Sequence, residues 1–339
     1  MKSGSTLTVD APCSASLLDN ARGMLQDIFS AWYPGLSRVD VVAESIPDQE
    51  PRAGVGSFFS GGVDGSYTFL RRRDEITHLI SVQGIDVQVD NDSLWSQVIA
   101  ANAGFAEQFG KKLVNVRTNI RRFCHPRGVS WVVLNGAGLA AIGHALGMGR
   151  YFVAASHTYT QLYPLGSHPL SDRLWGSGGI SLIHDGLVSR PEKIKALATC
   201  PEALQLLRVC WQDAGYNCNR CEKCLRTRIA LRLLGLSTPT LEPLVDSREI
   251  SSIKLWDEAD IAFYGENLEL ADSVGDKPIA AALRRCLRGR GSRLALAELD
   301  RNFLGGAVRR LKSLVRRRPA LKVAVPAALH PGTSLDMSR

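Results

Sequence analysis

Two short stretches of this chain combine residue types and spacings that do chemistry. The first is Cys210-x7-Cys218-x2-Cys221-x2-Cys224, within CWQDAGYNCNRCEKC. Thiolates are soft ligands, and a Cys-x2-Cys turn aims two of them at one ion. Four at this spacing suit a tetrahedral Zn²⁺ with no open coordination position. Iron–sulfur ligation uses similar runs and stays open on spacing alone. The second stretch is Ser60-Gly61-Gly62-Val63-Asp64-Gly65-Ser66, between an apolar run and a helix-like run, FFSGGVDGSYTFL. Glycines let backbone N–H groups approach an anion, and the N-terminus of a following helix adds a favourable dipole. Ser60 and Ser66 can add hydroxyl donors. The stretch has neither the Gly-Lys-Ser/Thr ending of a Walker loop nor the spacing of a dinucleotide fingerprint. The bland alternative is a tight strand–helix bend that merely needs glycine.

A third region, 156–193, gathers His, Tyr, Ser, Gly and Asp in SHTYTQLYPLGSHPLSDRLWGSGGISLIHDGLVSRPEKI. A loop this long in a compact domain is more often functional than idle. His157, His168, Asp172, Arg173, Arg190 and Lys193 are its candidate groups, each with a plain reading as a surface charge or a cap. His144, mid-helix among Ala and Leu, reads as a satisfied core histidine. Cys124 and Cys200 lie outside the cysteine cluster and read as inert thiols, the alternative being a persulfide carrier.

The elements that must position these residues alternate. Over residues 1–50, TLTVDA and VDVVAES read as strands around one helical run, SASLLDNARGMLQDIFSAWYPG, which together make a small α/β unit. IPDQEPRAG reads as a linker. From residue 54, GVGSFFS, ITHLISVQGI, KKLVNVRTNI and RYFVAAS read as strands. GSYTFLRRR, SLWSQVIAANAGFAEQFG and AGLAAIGHALGMG read as helices, RRFCHPRG as a loop, and 157–190 as loop-rich. Such alternation predicts an α/β fold with a doubly wound parallel sheet, whose ligands sit at the carboxyl ends of the strands. The Gly-rich turn falls there. The run LRTRIALRLLGL after the cysteines reads as a helix that anchors the knuckle.

Together these residues bring a family to mind. SGGVDGS resembles the SGGxDS loop of the PP-loop ATP pyrophosphatases, with Gly65 where that family has Ser and a Ser one place later. The cysteine order is similar to that of the 7-cyano-7-deazaguanine synthases. SHTYTQLYPLGSHPLSDRLW and YNCNRCEKCLRT are closer still to longer relatives of those enzymes. The resemblance covers about residues 54–236, leaving a unit over 1–50 and a helical extension with a basic tail over 237–339. It implies a HUP-type sheet and an enzyme that takes ATP and Mg²⁺ and adenylates a small-molecule carboxylate, amide or carbonyl oxygen. Pyrophosphate is released, and a nitrogen or sulfur nucleophile then displaces AMP. On this resemblance Ser60, Gly61, Gly62, Val63, Asp64, Gly65 and Ser66 cradle phosphates, and Val82 faces adenosine. Arg190 and Lys193 contact phosphate, Asp172 holds Mg²⁺ or orients substrate, and a Zn²⁺ on the four cysteines is structural. The acceptor stays open, as does the oligomeric state, a homodimer being one option.

Charge divides the chain unevenly. Residues 281–339 hold 14 Lys and Arg against 3 Asp and Glu, whereas the first 280 hold 27 against 30. The net charge of +8 therefore belongs to the tail. That tail reads first as a solvated amphipathic helix packed on the domain, and otherwise as a grip on RNA or an anionic membrane surface. Two rival functions follow: an RNA-binding or tRNA-thiolating protein, and a nucleotide-binding scaffold without catalysis. No apolar run approaches the ~20 residues that span a bilayer, and a cytoplasmic setting with reduced thiols is expected.

Overall fold

The computed structural model of the protein describes residues 1–288 apart from 213, 252, 254, 256 and 257. Met1–Leu287 form one compact unit. In chain order the strands are β1 Leu7–Thr8, β2 Cys13–Ser14, β3 Val41–Val42, β4 Ser45–Ile46, β5 Val55–Phe58, β6 His78–Gln83, β7 Lys112–Arg117, β8 Arg150–Ala154 and β9 Ser181–Asp185. The helices are α1 Ala15–Arg22, α2 Met24–Trp32, α3 Val63–Arg72, α4 Asp92–Gln108, α5 Ile120–Cys124, α6 Trp131–Leu146, α7 Arg190–Leu197, α8 Pro201–Gln205, α9 Glu222–Leu233, α10 Arg248–Ser251 and α11 Glu258–Val274. Residues 277–288 are also helical. The rest of the basic tail, whose amphipathic helix was expected above, lies outside the described residues. Among the described residues no helix is long and apolar enough to cross a membrane.

The central sheet has five parallel strands in the order β7-β6-β5-β8-β9. The order reverses between β5 and β8, and there the carboxyl ends of two neighbouring strands diverge into a crevice. Side chains alternate across the sheet with period two. Leu79 and Phe152 point to a face packed by Phe69 of α3, Phe105 of α4 and Ile194 of α7. Ile80, Tyr151, Val153 and Leu182 point to the other face, against Ala140 of α6. Fully burying an apolar side chain contributes about 1.5–3 kcal/mol, so these two layers hold the sheet rigid beneath the crevice.

Three sequence expectations change. The single N-terminal helix is two, α1 and α2, broken at Gly23, whose φ and ψ of −112° and −107° leave the helical region. RRFCHPRG is not a loop but α5 followed by a 3-10 turn over His125–Arg127. The loop-rich region contains β9, a fifth strand whose alternation is masked by polar His184 and Asp185. The N-terminal elements form two short parallel pairs, β1 with β3 and β2 with β4. They dock through Phe29 on Trp175 and Trp32 on His168, with ring centroids 6.0 and 4.8 Å apart. His144 is satisfied as expected, its Nε2 lying 2.8 Å from the Trp175 carbonyl oxygen.

Helix α6 owes its small residues partly to this loop. A Cβ on Gly136 would stand 2.2 Å from the carbonyl oxygen of Gly166 and 2.9 Å from Asp172 Oδ1. Gly136→Ala therefore has to push the 166–172 segment away, and is expected to destabilise the protein by about 1–3 kcal/mol. Urea denaturation measures this, and an unchanged midpoint would show that the loop yields at no cost.

Candidate functional site

The crevice opens into a cavity of about 450 Å³. Residues from the ends of four strands reach it: Phe58 of β5, Val82 of β6, Val153 of β8 and His184 of β9. So do first-turn residues of three helices: Asp64 of α3, Arg190 of α7 and Lys223 of α9. A helix N-terminus carries partial positive charge, and three share this one cavity.

The Gly-rich stretch is the turn from β5 into α3. Gly61 has φ +74°, a left-handed conformation that costs any residue with a Cβ, and an added Cβ would meet Leu206 Cδ1 at 2.7 Å. Gly65 packs close to the strand it follows, where a Cβ would lie 3.2 Å from the Phe58 carbonyl oxygen. That contact is a physical reason for Gly where the resembling loop has Ser. Ser60, Gly62, Val63, Asp64 and Gly65 line the cavity, as does half-buried Val82. Gly61 and Ser66 do not, and Ser66 Oγ is buried without a hydrogen-bond partner among the described residues.

Asp64 joins two buried cations. Its Oδ2 accepts from Arg190 Nη1 at 2.9 Å and its Oδ1 from Lys193 Nζ at 2.8 Å. Lys193 also donates to the Ala155 carbonyl oxygen at 2.5 Å, just beyond β8. The side chains of Arg190 and Lys193 are 7% and 1% exposed, against 21% for Asp64. Burial works to raise the Asp64 pKa, but Lys193 and then Arg190 outweigh it and hold the carboxyl well below the usual carboxylate range. Sequence spacing could not place Asp64 beside residues 126 and 129 positions later. Asp172 goes elsewhere: it is buried, does not line the cavity, and accepts from Ser167 Oγ at 2.7 Å and His168 N at 3.1 Å. Arg173 is exposed and also absent from the cavity lining. His157 lines the cavity, stacked on Phe263.

Two arginines that the sequence reading did not single out complete the site. Arg226, on α9, pairs with Glu222 at 3.1 Å and lies 3.8 Å over the Phe263 ring. Arg208 is 3% exposed, and its Nε and Nη2 have no hydrogen-bond partner among the described residues. Its backbone N–H donates to the Gly61 carbonyl oxygen at 2.8 Å. In sequence it sits in LLRVC, where nothing distinguishes it from a surface residue. Burial pushes the carboxyls of Glu222 and Glu266 up, ahead of the pull from nearby cations. The cavity lining thus sets Arg190, Arg208, Lys223 and Arg226 against Asp64, Asp86, Glu222 and Asp260.

The four cysteines form the second centre. Cys210, Cys218, Cys221 and Cys224 place their sulfurs within 4.8 Å of one another. Cys210–Cys221, Cys218–Cys224 and Cys221–Cys224 are 3.8, 4.0 and 3.5 Å apart. A tetrahedron with metal–sulfur bonds of about 2.3 Å has edges of about 3.8 Å. The group could hold a metal ion such as zinc. Asn219 makes the turn inside Cys218–Cys221 with φ 59°. Asn217 ties the knuckle to the cavity: its Oδ1 accepts from Val209 N and Cys210 N at 3.0 and 3.1 Å, and its Nδ2 donates to Leu207 O at 2.9 Å. The segment so clamped carries Arg208. Cys200 stands apart, and burial raises its thiol pKa, which disfavours a reactive thiolate.

No protein-family model matches the chain, and no curated protein matches it.

Protein purified under reducing conditions is expected to carry about one metal ion per chain, and Cys221→Ser to lower its melting temperature, because binding free energy at such a knuckle is folding free energy. A metal-free protein with the wild-type melting curve would contradict this. Asp64→Asn leaves Arg190 and Lys193 without counter-charge and should cost about 3 kcal/mol. The folded Asp64 pKa is depressed, so this stability is complete above the unfolded carboxylate value of about 4. It is lost as pH falls towards the folded value. Urea melts of the two proteins along a pH series should converge in acid; a gap that stays constant would deny Asp64 its charge role.

Proposed function

We propose that this chain is an AMP-forming enzyme of the PP-loop ATP pyrophosphatase kind, with a HUP-type sheet. It binds ATP as its Mg²⁺ complex in the crevice between β5 and β8. It adenylates a carboxylate or carbonyl oxygen of a small molecule, releases pyrophosphate, and passes the activated carbon to a nucleophile. The observation that carries this reading is Arg208: a guanidinium 3% exposed, two of its nitrogens unpaired, on the wall of the cavity that Gly62 and Asp64 also line. Burying an unpaired charge is costly. An anion that fills the cavity supplies the missing partner, and the three helix N-termini favour a polyanion over a single carboxylate.

The chemistry asks little of the protein beyond position and charge. A substrate oxygen attacks the α-phosphorus, and the bond to the β-phosphate oxygen breaks. Negative charge builds on the departing pyrophosphate. Arg190 and Arg208 reach the cavity and are the groups that offset it, while Lys193, held by Asp64 and Ala155, keeps the frame. The backbone at Gly62 and the amino end of α3 cradle the phosphates. The apolar stretch around Val82 and Ile80 gives the adenine a dry wall. Zn²⁺ on the four thiolates is structural, since a closed tetrahedron has no position for substrate.

Arg208→Met separates the two roles of this residue. Removing an unpaired buried charge should leave the free protein as stable or more so. It should weaken binding of Mg²⁺-ATP by about 10- to 100-fold, the worth of a charged hydrogen bond. Thermal melts and calorimetry read the two effects. Wild-type protein that gives no heat with Mg²⁺-ATP would refute the cradle and leave a scaffold without nucleotide chemistry.

A further inference from the structure

A second set of groups at the same cavity has no part in binding phosphate. His184, next to last in β9, lies beside Val153 of β8, and both line the cavity. Its Nδ1 lies 2.7 Å from Oδ2 of Asp172, and the two side chains are 8% and 1% exposed. The same carboxylate accepts from Ser167 Oγ and from the His168 backbone N–H. A carboxylate only accepts, so Nδ1 is the donor to Asp172, and in the neutral ring the lone pair is on Nε2. Nε2 has no hydrogen-bond partner among the described residues. Ser167 also lines the cavity, but its hydroxyl is committed to Asp172 and not to His184. The trio is therefore not an activated serine nucleophile, which would need its hydroxyl on the imidazole. What remains is an imidazole held by a buried carboxylate, with one free basic nitrogen at the cavity wall.

We propose that His184, oriented by Asp172, is the general base for the second half-reaction, accepting a proton from an amine or ammonia as that nucleophile attacks the adenylated carbon. The inference rests on the adenylating reading above and narrows it to nitrogen. A thiolate arrives already deprotonated and needs no such base, whereas a nitrogen nucleophile must shed a proton for its adduct to collapse. The nitrogen lone pair forms the new carbon–nitrogen bond. The carbon–oxygen bond to AMP breaks, and AMP leaves with that electron pair as its phosphate anion. The proton lost by nitrogen passes to Nε2, and the imidazolium, stabilised by Asp172, later returns it to water. His168 is the other titratable group facing the pair. Burial, ahead of His184, lowers the His168 pKa, while Asp172 works to raise it. In this scheme His184 is catalytic, and Asp172 and Ser167 are positioning residues.

Two measurements test it. In ¹⁵N-resolved NMR of the full chain at neutral pH, His184 should show the Nδ1–H tautomer, and Asp172→Asn should shift it towards Nε2–H. A wild-type Nε2–H ring, or no response to Asp172→Asn, overturns the base role alone. The kinetic test supplies Mg²⁺-ATP, a panel of aromatic and aliphatic carboxylic acids, and either ammonia or hydroxylamine. In His184→Gln the ratio of amide formation from ammonia to ATP–pyrophosphate exchange should fall by about a hundredfold or more. Hydroxamate formation should fall far less, because hydroxylamine is a weaker base and its adduct sheds its proton readily. An unchanged ratio, or equal losses with both nucleophiles, overturns the proposal. Absence of exchange in the wild type with every acid fails the adenylating reading, and the base role with it, whatever the tautomer.

Discussion

One carboxylate organises the cavity. Asp64 stands on the first turn after the Gly-rich bend and binds two cations delivered by α7. Lys193 also holds the end of β8 through Ala155, and the Arg190 backbone N–H donates to Glu266 of α11 at 2.9 Å. The single group thus couples the strand before the reversal, the strand after it and two helices. Two cations this close in a poorly solvated site repel strongly, since charges interact more steeply as the dielectric falls. Asp64 makes their proximity tolerable. It also engages donors of Arg190 and Lys193, so the arginine enters the cavity already oriented.

The cysteine knuckle does a related task from a distance. Its first cysteine closes the segment that carries Arg208, and its last two open α9, which carries Glu222, Lys223 and Arg226. Asn217 fastens the first arm with three hydrogen bonds to its backbone and a fourth to the Thr240 carbonyl oxygen. A metal-sized group of thiols next to a cavity that needs no metal ligand from them becomes intelligible on this basis. Short covalent links and a rigid turn hold two arginines in place more firmly than a loop of this polarity would. Arg208 with its unpaired nitrogens fits the common pattern in which a site departs from the most stable arrangement where it must meet a ligand.

The polar side of the cavity divides by element. Groups on α7 and α9, with Arg208, bring cations, and the amino ends of α3, α7 and α9 bring helix dipoles. β9 brings an imidazole whose Nδ1 is anchored by a buried carboxylate. The N-terminal elements, though short, pack on the turn that contains Asp172: Leu174 is buried with Leu25 and Phe29, and His168 meets Trp32 edge-on. The first 50 residues thereby brace the turn that carries Asp172.

By itself the sequence determined the local features. Four of the five strands of the central sheet were legible because apolar runs of four to eight residues between turn signals have few other readings. The Gly-rich bend after β5 and the spacing of Cys210, Cys218, Cys221 and Cys224 were legible because both are properties of a short backbone segment. β9 was hidden because His184 and Asp185 break its apolar pattern, each finding its partner on an opposite face of the sheet, Asp172 on one and Arg72 on the other. Gly23 passed for a tolerated helical glycine. The tertiary structure alone decided that Arg190 and Lys193 meet Asp64, that Asp172 turns from the cavity to His184, and that an ordinary-looking Arg208 is buried with its Nε and Nη2 unpaired among the described residues. Those relations join residues far apart in the chain. Burial and charge pairing depend on which surfaces the packed sheet brings together, and local spacing carries no record of that.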